Sequence, residues 1–241
     1  MIDTNNLKIT AEKYGIVIPE GMLKYYDFIA EQLVEKNKCY NLTAILEPND
    51  IINKHFIDSL TIVPVISKIN KLGSVIDVGT GAGFPGTIAA LALKENQFTL
   101  LDSSEKKINY LIDLIAEIGE GYAHSPKVVC SRAEEAAKNE NHREKYDFAV
   151  SRAVASLNTL TELCVPLIKV GGFFVAMKGK NAENEIAEAK NAMSELNVVI
   201  EDMEKIILPD ESERNILIMR KIGATPDKYP RRSAAIKKKP L

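Results

Sequence analysis

Three glycines at alternate positions, Gly79, Gly81 and Gly83, sit where an apolar run, Val75 to Val78, gives way to a stretch opened by Pro85. Glycine there permits positive φ and lets backbone N–H groups approach a ligand with no Cβ in the way. Further on, the run TLLD ends in Asp102. An acid at that place accepts hydrogen bonds from both hydroxyls of a ribose. Gly81, Gly83 and Gly86 satisfy a bare G-x-G-x-x-G, which by itself suits a dinucleotide. Counting instead from Gly79 puts Phe84 where the third glycine belongs. Asp77 lies two residues before Gly79, where an acid repels a pyrophosphate and suits the ammonium and sulfonium of S-adenosylmethionine. Asp102 serves either ligand, so it identifies a ribose and not a cofactor; its plain alternative is to cap a helix beginning at Ser103 or Ser104.

Two later groups fit the same ligand. Ser131-Arg132-Ala133-Glu134 follows a third apolar run, where folds of this kind gather groups around an adenine; a first-turn acid such as Glu134 is also favoured by the helix dipole alone. Arg152 follows a fourth run, Tyr146 to Val150, at the edge where a transferred methyl would meet its acceptor; an ordinary surface ion pair is the competing role. Absent motifs narrow the chemistry. No (Asn/Asp)-Pro-Pro-aromatic loop follows the fourth run, and no cysteine stands there to serve as the nucleophile that methylation at a pyrimidine C5 needs. An acceptor with its own lone pair, such as guanine N7, needs only proximity and alignment.

The elements that must hold these residues follow from hydrophobic period. Residues 1 to about 70 read as helical, with breaks at Pro19–Gly21 and at Pro48, and with Asn49 or Asp50 capping a helix that carries His55, Asp58 and Leu60. Lys71 to Ser74 reads as a turn. Strands are expected at Ser74–Val78, Gln97–Leu101, Lys127–Cys130, Tyr146–Val150 and Phe173–Met177. Helices fall between them, at Pro85–Lys94, Ser104–Ile118, about Ala133–Lys138 and Leu157–Leu167. A long polar helix then runs over about Asn181–Leu196. Val198–Ile207 and Asn215–Arg220 read as a closing hairpin. Strands alternating with helices of this length mean parallel βαβ units. The expected fold is therefore α/β and Rossmann-like: a mostly parallel seven-stranded sheet of the class I methyltransferase kind, with an antiparallel C-terminal hairpin and an N-terminal helical extension. The division is 1–72 extension, 73–222 cofactor-binding domain and 223–241 basic tail.

The net charge of −2 does not advertise a nucleic-acid binder, but its distribution is uneven. From Lys221 onward, Lys221, Lys228, Arg231, Arg232, Lys237, Lys238 and Lys239 oppose the single acid Asp227. Such a tail suits contact with phosphate, or is simply a solvated, disordered end. Cys39, Cys130 and Cys164 are far apart, with no metal-ligand spacing, and read as reduced, buried packing residues. No metal is expected. No run is long enough for a membrane span and no signal peptide is legible, so a cytoplasmic protein is expected. His124 and His142 fall in loops and take no role.

Taken together, YNLTAI (Tyr40–Ile45), HFIDSL (His55–Leu60), VIDVGTGAGFPG (Val75–Gly86), LLDS, SRAEE (Ser131–Glu135), YDFAVSRAVA (Tyr146–Ala155), MKG (Met177–Gly179) and the YPRR…KKKPL end span the chain from about residue 40. The sequence resembles the bacterial ribosomal RNA small subunit methyltransferase G family, also called glucose-inhibited division protein B. The resemblance implies N7-methylation of one guanine in the decoding-region loop of 16S rRNA, with S-adenosylmethionine as cofactor. It implies cofactor contacts at Gly79, Gly81, Phe84, Ala133, Glu134 and Arg152, with Asp102 on the ribose and Arg152 as the catalytic candidate. Asn41, the Tyr40–Thr43 stretch, His55 and Asp58 would lie near cofactor or RNA. Lys178, Arg231, Arg232, Lys237, Lys238 and Lys239 would favour RNA. The partner would be 16S rRNA or a precursor of the small subunit, met by a monomer. One departure stands out: Ser233-Ala234-Ala235-Ile236 replaces the glycine and proline usual in the family's tail. Two alternatives stay open, a methyltransferase acting on another RNA base or a small molecule, and a non-catalytic nucleotide-binding Rossmann regulator.

Overall fold

Short β-branched runs, each bounded by a turn and followed by an amphipathic stretch, fold as parallel strands wrapped by helices. The computed structural model describes residues 1–69 and 72–241. The turn expected at Lys71 to Ser74 therefore begins outside the described residues.

The chain opens with α1 (Thr4–Glu12) and α2 (Leu23–Tyr40). Next come α3 (Pro48–Asp50), a π-helical segment (Ile51–Ile57), α4 (Asp58–Leu60) and α5 (Ile62–Ile69). Pro48, expected as a break, instead occupies the first helical position, where its missing N–H costs nothing, and Glu47 takes the N-cap place expected for Asn49 or Asp50.

The alternating part follows: β1 (Ser74–Val78), α6 (Gly86–Ala92), β2 (Gln97–Asp102), α7 (Glu105–Ile118), β3 (Lys127–Cys130) and α8 (Ala133–Ala136). It continues with β4 (Tyr146–Arg152), α9 (Leu157–Cys164), β5 (Ile168–Lys178), α10 (Ala182–Glu188) and α11 (Lys190–Glu195). It closes with β6 (Val198–Ile207), β7 (Glu213–Lys221) and α12 (Ser233–Lys238). The single long helix expected over 181–196 breaks at Ala189, whose ψ of 0° leaves the helical basin.

The seven strands lie in the order β3-β2-β1-β4-β5-β7-β6. β7 runs antiparallel to both of its neighbours, and all other pairs are parallel. Period-two alternation sends successive residues to opposite faces. Val75, Leu100, Phe148 and Val150 face a core that also takes Leu7, Tyr26, Ile29, Leu33, Phe56 and Ile66 from the N-terminal helices. Ile76, Leu101, Ala149 and Phe174 face the second core, with Leu157, Leu160 and Leu196. The N-terminal helices thus share a core with the sheet.

β1 and β4 are neighbours, but β1 leads on to β2 on one side and β4 to β5 on the other. The loops leaving them diverge, opening a crevice at the carboxyl ends of the strands, where ligands bind in open α/β sheets. Ser151 Oγ donates to Val78 O at 2.9 Å and holds the two strand ends together at that point.

Two expectations need correcting. Cys164 is buried, but Cys39, in the last turn of α2, and Cys130, ending the edge strand β3, are exposed. The basic tail is not a loose arm: it turns back, Arg231 pairs with Glu162 of α9, and Ile236 of α12 is buried.

Candidate active site

A cavity of about 710 Å³ occupies the crevice. Its floor is the loop between β1 and α6. Gly79, Gly81 and Gly83 all take positive φ, the region in which a Cβ is strained. A Cβ on Gly79 would also stand 2.7 Å from Val154 Cγ2. Gly79 N and Thr80 N both donate to Leu101 O, at 2.8 and 3.0 Å, which lashes the loop to the end of β2.

Both carboxylate oxygens of Asp102 are engaged by backbone N–H groups. Its Oδ1 accepts from Ser104 N at 2.8 Å, at the start of α7, and its Oδ2 accepts from Gly81 N at 2.9 Å. Each oxygen keeps a lone pair, and the half-buried carboxylate lines the cavity. Along the β3 side, Ser131, Arg132, Ala133 and Glu134 line the wall. Glu134 is buried, and its Oε1 has no hydrogen-bond partner among the described residues. A buried acceptor left open in this way calls for a donor from a ligand.

Asp77 departs from expectation. It is 0 % exposed, does not line the cavity, and sits behind the loop. Its Oδ2 accepts from Thr80 Oγ1 at 2.7 Å and from Gly86 N at 2.8 Å. Burial pushes its carboxyl up to about 6 against those bonds and the charge of Arg152. Asp77 therefore builds the loop from beneath and does not face a ligand. The reason is register: Asp77 points to the same face of β1 as Val75, into the core.

Arg152 closes the opposite edge. It lines the cavity, and its guanidinium lies 5.5 Å over the Phe84 ring. Nη1 donates to Lys54 O and to Asp58 Oδ2, each at 3.0 Å, and Nη2 reaches His55 Nδ1 at 3.4 Å. The next residue, Ala153, is held at φ +56°, a strain of about 1–3 kcal/mol for a non-glycine residue. Asp58 is 1 % exposed and binds a second arginine, Arg214, through Nε at 2.7 Å and Nη2 at 2.9 Å. Sequence reading missed Arg214, because its partner lies 156 positions away and no motif marks it.

His55 is buried and stacks on Phe84 at 4.6 Å, 9° from parallel. Arginine can only donate, so Nδ1 accepts and Nε2 carries the proton toward Thr43 Oγ1 at 3.0 Å. Burial, helped by the charge of Arg152, pulls His55 down to about 4. His55 is thus a neutral, fully engaged ring.

The structure brings Gly79, Gly81, Phe84, Asp102, Ala133, Glu134, Arg152 and His55 to one cavity, and Lys237 joins them there. Asn41 stands outside it, exposed, ending α2 in the left-handed conformation that asparagine tolerates. Lys178 and Arg231 are not free cations. Lys178 is buried, donating to Ala155 O at 2.8 Å and pairing with Glu185 at 2.7 Å. Arg231 is paired with Glu162. Arg232, Lys238 and Lys239 lie outside the cavity lining. Lys107, Ile236 and Pro240 line it without having been expected. No cluster that could hold a metal ion occurs among the described residues.

The family model described as rRNA small subunit methyltransferase G matches residues 20–216. The chain is 44 % identical over 221 residues to the Ribosomal RNA small subunit methyltransferase G of Clostridium botulinum, covering 90 % of this chain and 91 % of that one. It is 40 % identical over 233 residues to the protein of the same name from Lactobacillus johnsonii, covering 95 % of each. Among solved structures, the 1,6-didemethyltoxoflavin-N1-methyltransferase of Burkholderia thailandensis, with bound 1,6-didemethyltoxoflavin and S-adenosylhomocysteine, superposes with a TM-score of 0.54. That match is 13 % identical over 83 % of this chain and 90 % of the other, and it bears on the fold alone.

Proposed function

The chain belongs to the rRNA small subunit methyltransferase G family, and from that premise we propose that it methylates N7 of a single guanine in the decoding-region loop of 16S rRNA. It is an S-adenosylmethionine-dependent methyltransferase. The observation that carries the site assignment is the pairing of Asp102 with the unpartnered Glu134 oxygen in one cavity at the switch point between β1 and β4. Asp102 is suited to the ribose and Glu134 to the exocyclic amino group of adenine. Gly79 and Gly81 let the backbone approach, and Phe84, Ala133 and Arg152 complete the contacts.

When bound, S-adenosylmethionine supplies an electrophilic methyl group on a sulfonium. The protein's task is alignment and exclusion of water. Guanine N7 carries its own lone pair in the plane of the base, so no proton need leave before attack. His55 fits that economy: both ring nitrogens are engaged and the ring stays neutral, so it shapes the edge and takes no proton. Arg152 offers a rigid, charged donor where the acceptor enters, suited to the guanine O6 that flanks N7. Asn41, Arg232, Lys237, Lys238 and Lys239 are the proposed RNA contacts; Lys178 and Arg231 support them from ion pairs within the fold.

No helix of the described residues is long and apolar enough to cross a membrane. We take the protein to act in the cytoplasm as a monomer, on 16S rRNA or a precursor particle.

Transfer of labelled methyl from S-adenosylmethionine to naked 16S rRNA and to small subunits, followed by mapping of the modified base, tests the reading. One labelled guanine, with N7 alkylation revealed by borohydride–aniline cleavage, is expected. Label at any other base, or on neither substrate, overturns it.

A further inference from the structure

We propose that the last segment of the chain, residues 229–241, is the outer wall of the cofactor cavity at its adenine end, with Ile236 and Pro240 as the residues that contact the cofactor. The inference rests on the methyltransferase reading above.

Ser233, Ile236, Lys237 and Pro240 line the same cavity as Ser131 to Glu134 on the β3 side and Thr159 and Leu163 on α9. Asp102 fixes the ribose position, and Glu134 lies beyond it toward β3. Arg231 ties the tail to α9 through Glu162, and α9 contacts α8, which carries Glu134, so the tail is placed at the adenine end of the cavity. Ile236 is 3 % exposed yet belongs to neither apolar core of the described residues. A side chain buried outside both cores, with the cavity before it, is placed to cover an apolar ring face.

The wall is held by built contacts. Glu162 of α9, 0 % exposed, accepts from Arg231 N at 2.8 Å and from Arg231 Nε at 2.9 Å. Arg231 Nη1 then donates to Lys239 O at 3.0 Å, so one guanidinium joins both ends of α12 to the core. Upstream, Arg143 donates to Tyr229 O and Thr225 O, each at 2.9 Å, and Glu195 accepts from Tyr229 Oη at 2.9 Å. A solvated RNA-binding arm needs none of these bonds. Here they deliver Ile236 and Pro240 to the cavity and bring Lys237 to its rim.

The test is calorimetric titration of the full chain with S-adenosylhomocysteine and with 5′-methylthioadenosine, which keeps adenine and ribose but lacks the amino-acid end. Ile236→Asp is expected to weaken both ligands by the same factor, about tenfold or more. Truncation after Arg232 leaves the Arg231–Glu162 pair in place and is expected to act in the same direction, even if Ile236→Asp fails to fold. Native affinity for both ligands in the truncated chain overturns the wall. So does a loss confined to S-adenosylhomocysteine, because the contact would then lie at the other end. Failure of the native chain to bind either ligand overturns the methyltransferase reading and the wall with it.

Discussion

Arg152 and Asp58 meet at 3.0 Å across the seam between the end of β4 and the N-terminal helices, and Asp58 simultaneously holds Arg214 from the start of β7. One buried carboxylate thus joins three parts of the chain at the edge where the acceptor enters. Its removal leaves two guanidinium groups facing each other with no shared counter-charge. Asp58→Ala is expected to cost about 3 kcal/mol in stability, the low end for breaking a buried ion pair because both arginines are partly hydrated. Urea unfolding checks it; a loss under 1 kcal/mol would show that water replaces the carboxylate. Methyl transfer should fall further than stability alone dictates, because Arg152 loses its anchor.

Gly79 lines the cavity at positive φ. Gly79→Asp is expected to leave the fold in place, since asparagine and aspartate tolerate positive φ better than other residues. It should abolish binding of S-adenosylhomocysteine, because the new side chain meets Val154 and sends a carboxylate into the cavity. Calorimetry beside a circular dichroism spectrum decides this; native affinity would remove the loop from the binding site.

The strands were the most legible part of this chain. β1, β3 and β6 coincide with the runs read from the sequence, because β-branched runs bounded by turns mark strand ends even where, as in the edge strands β3 and β6, much of the strand is exposed. The Gly79 to Gly83 loop and Asp102 were legible for the same local reason, a turn that only glycine permits beside an acid ending a strand. Asp77 was misread because sequence gives its distance from the loop but not the face of β1 it takes. Arg214, Arg231 and Ile236 were illegible in role, since each acts through a partner far away in the chain. The tail's lysines hid the apolar residue that seats it.

His55 links this edge to pH. Its imidazole is held at about 4, chiefly by burial and then by Arg152, against 6.5 in the unfolded chain. Its folded pKa is depressed, so the unfolded state binds the proton first. The contribution of neutral His55 is complete above pH 6.5 and is lost progressively as pH falls from 6.5 toward 4. The stability advantage of the native chain over His55→Gln should therefore shrink by up to about 3 kcal/mol across that window. Asp77, pushed up to about 6, acts oppositely, favouring the fold as pH falls from 6 toward 3.8. Only the difference between native and variant isolates His55. A difference independent of pH would mean that the ring is already hydrated in the fold.

The Arg231–Glu162 pair permits a sharper test, because removing one partner and removing both predict different costs. Arg231→Met strands a carboxylate that is 0 % exposed, at about 2–3 kcal/mol. Glu162→Leu alone leaves Arg231 free to turn toward solvent, since its side chain is already partly exposed, but orphans the Arg231 backbone N–H. That should cost about 1 kcal/mol. The double variant buries two apolar side chains and keeps only the backbone penalty. It should be more stable than Arg231→Met, giving a coupling of at least about 1 kcal/mol in a urea double-mutant cycle. Additive costs would show that Glu162 is satisfied from elsewhere. The tail would then hang on the Arg143 and Glu195 contacts alone, and the Arg231 side chain would be free for RNA.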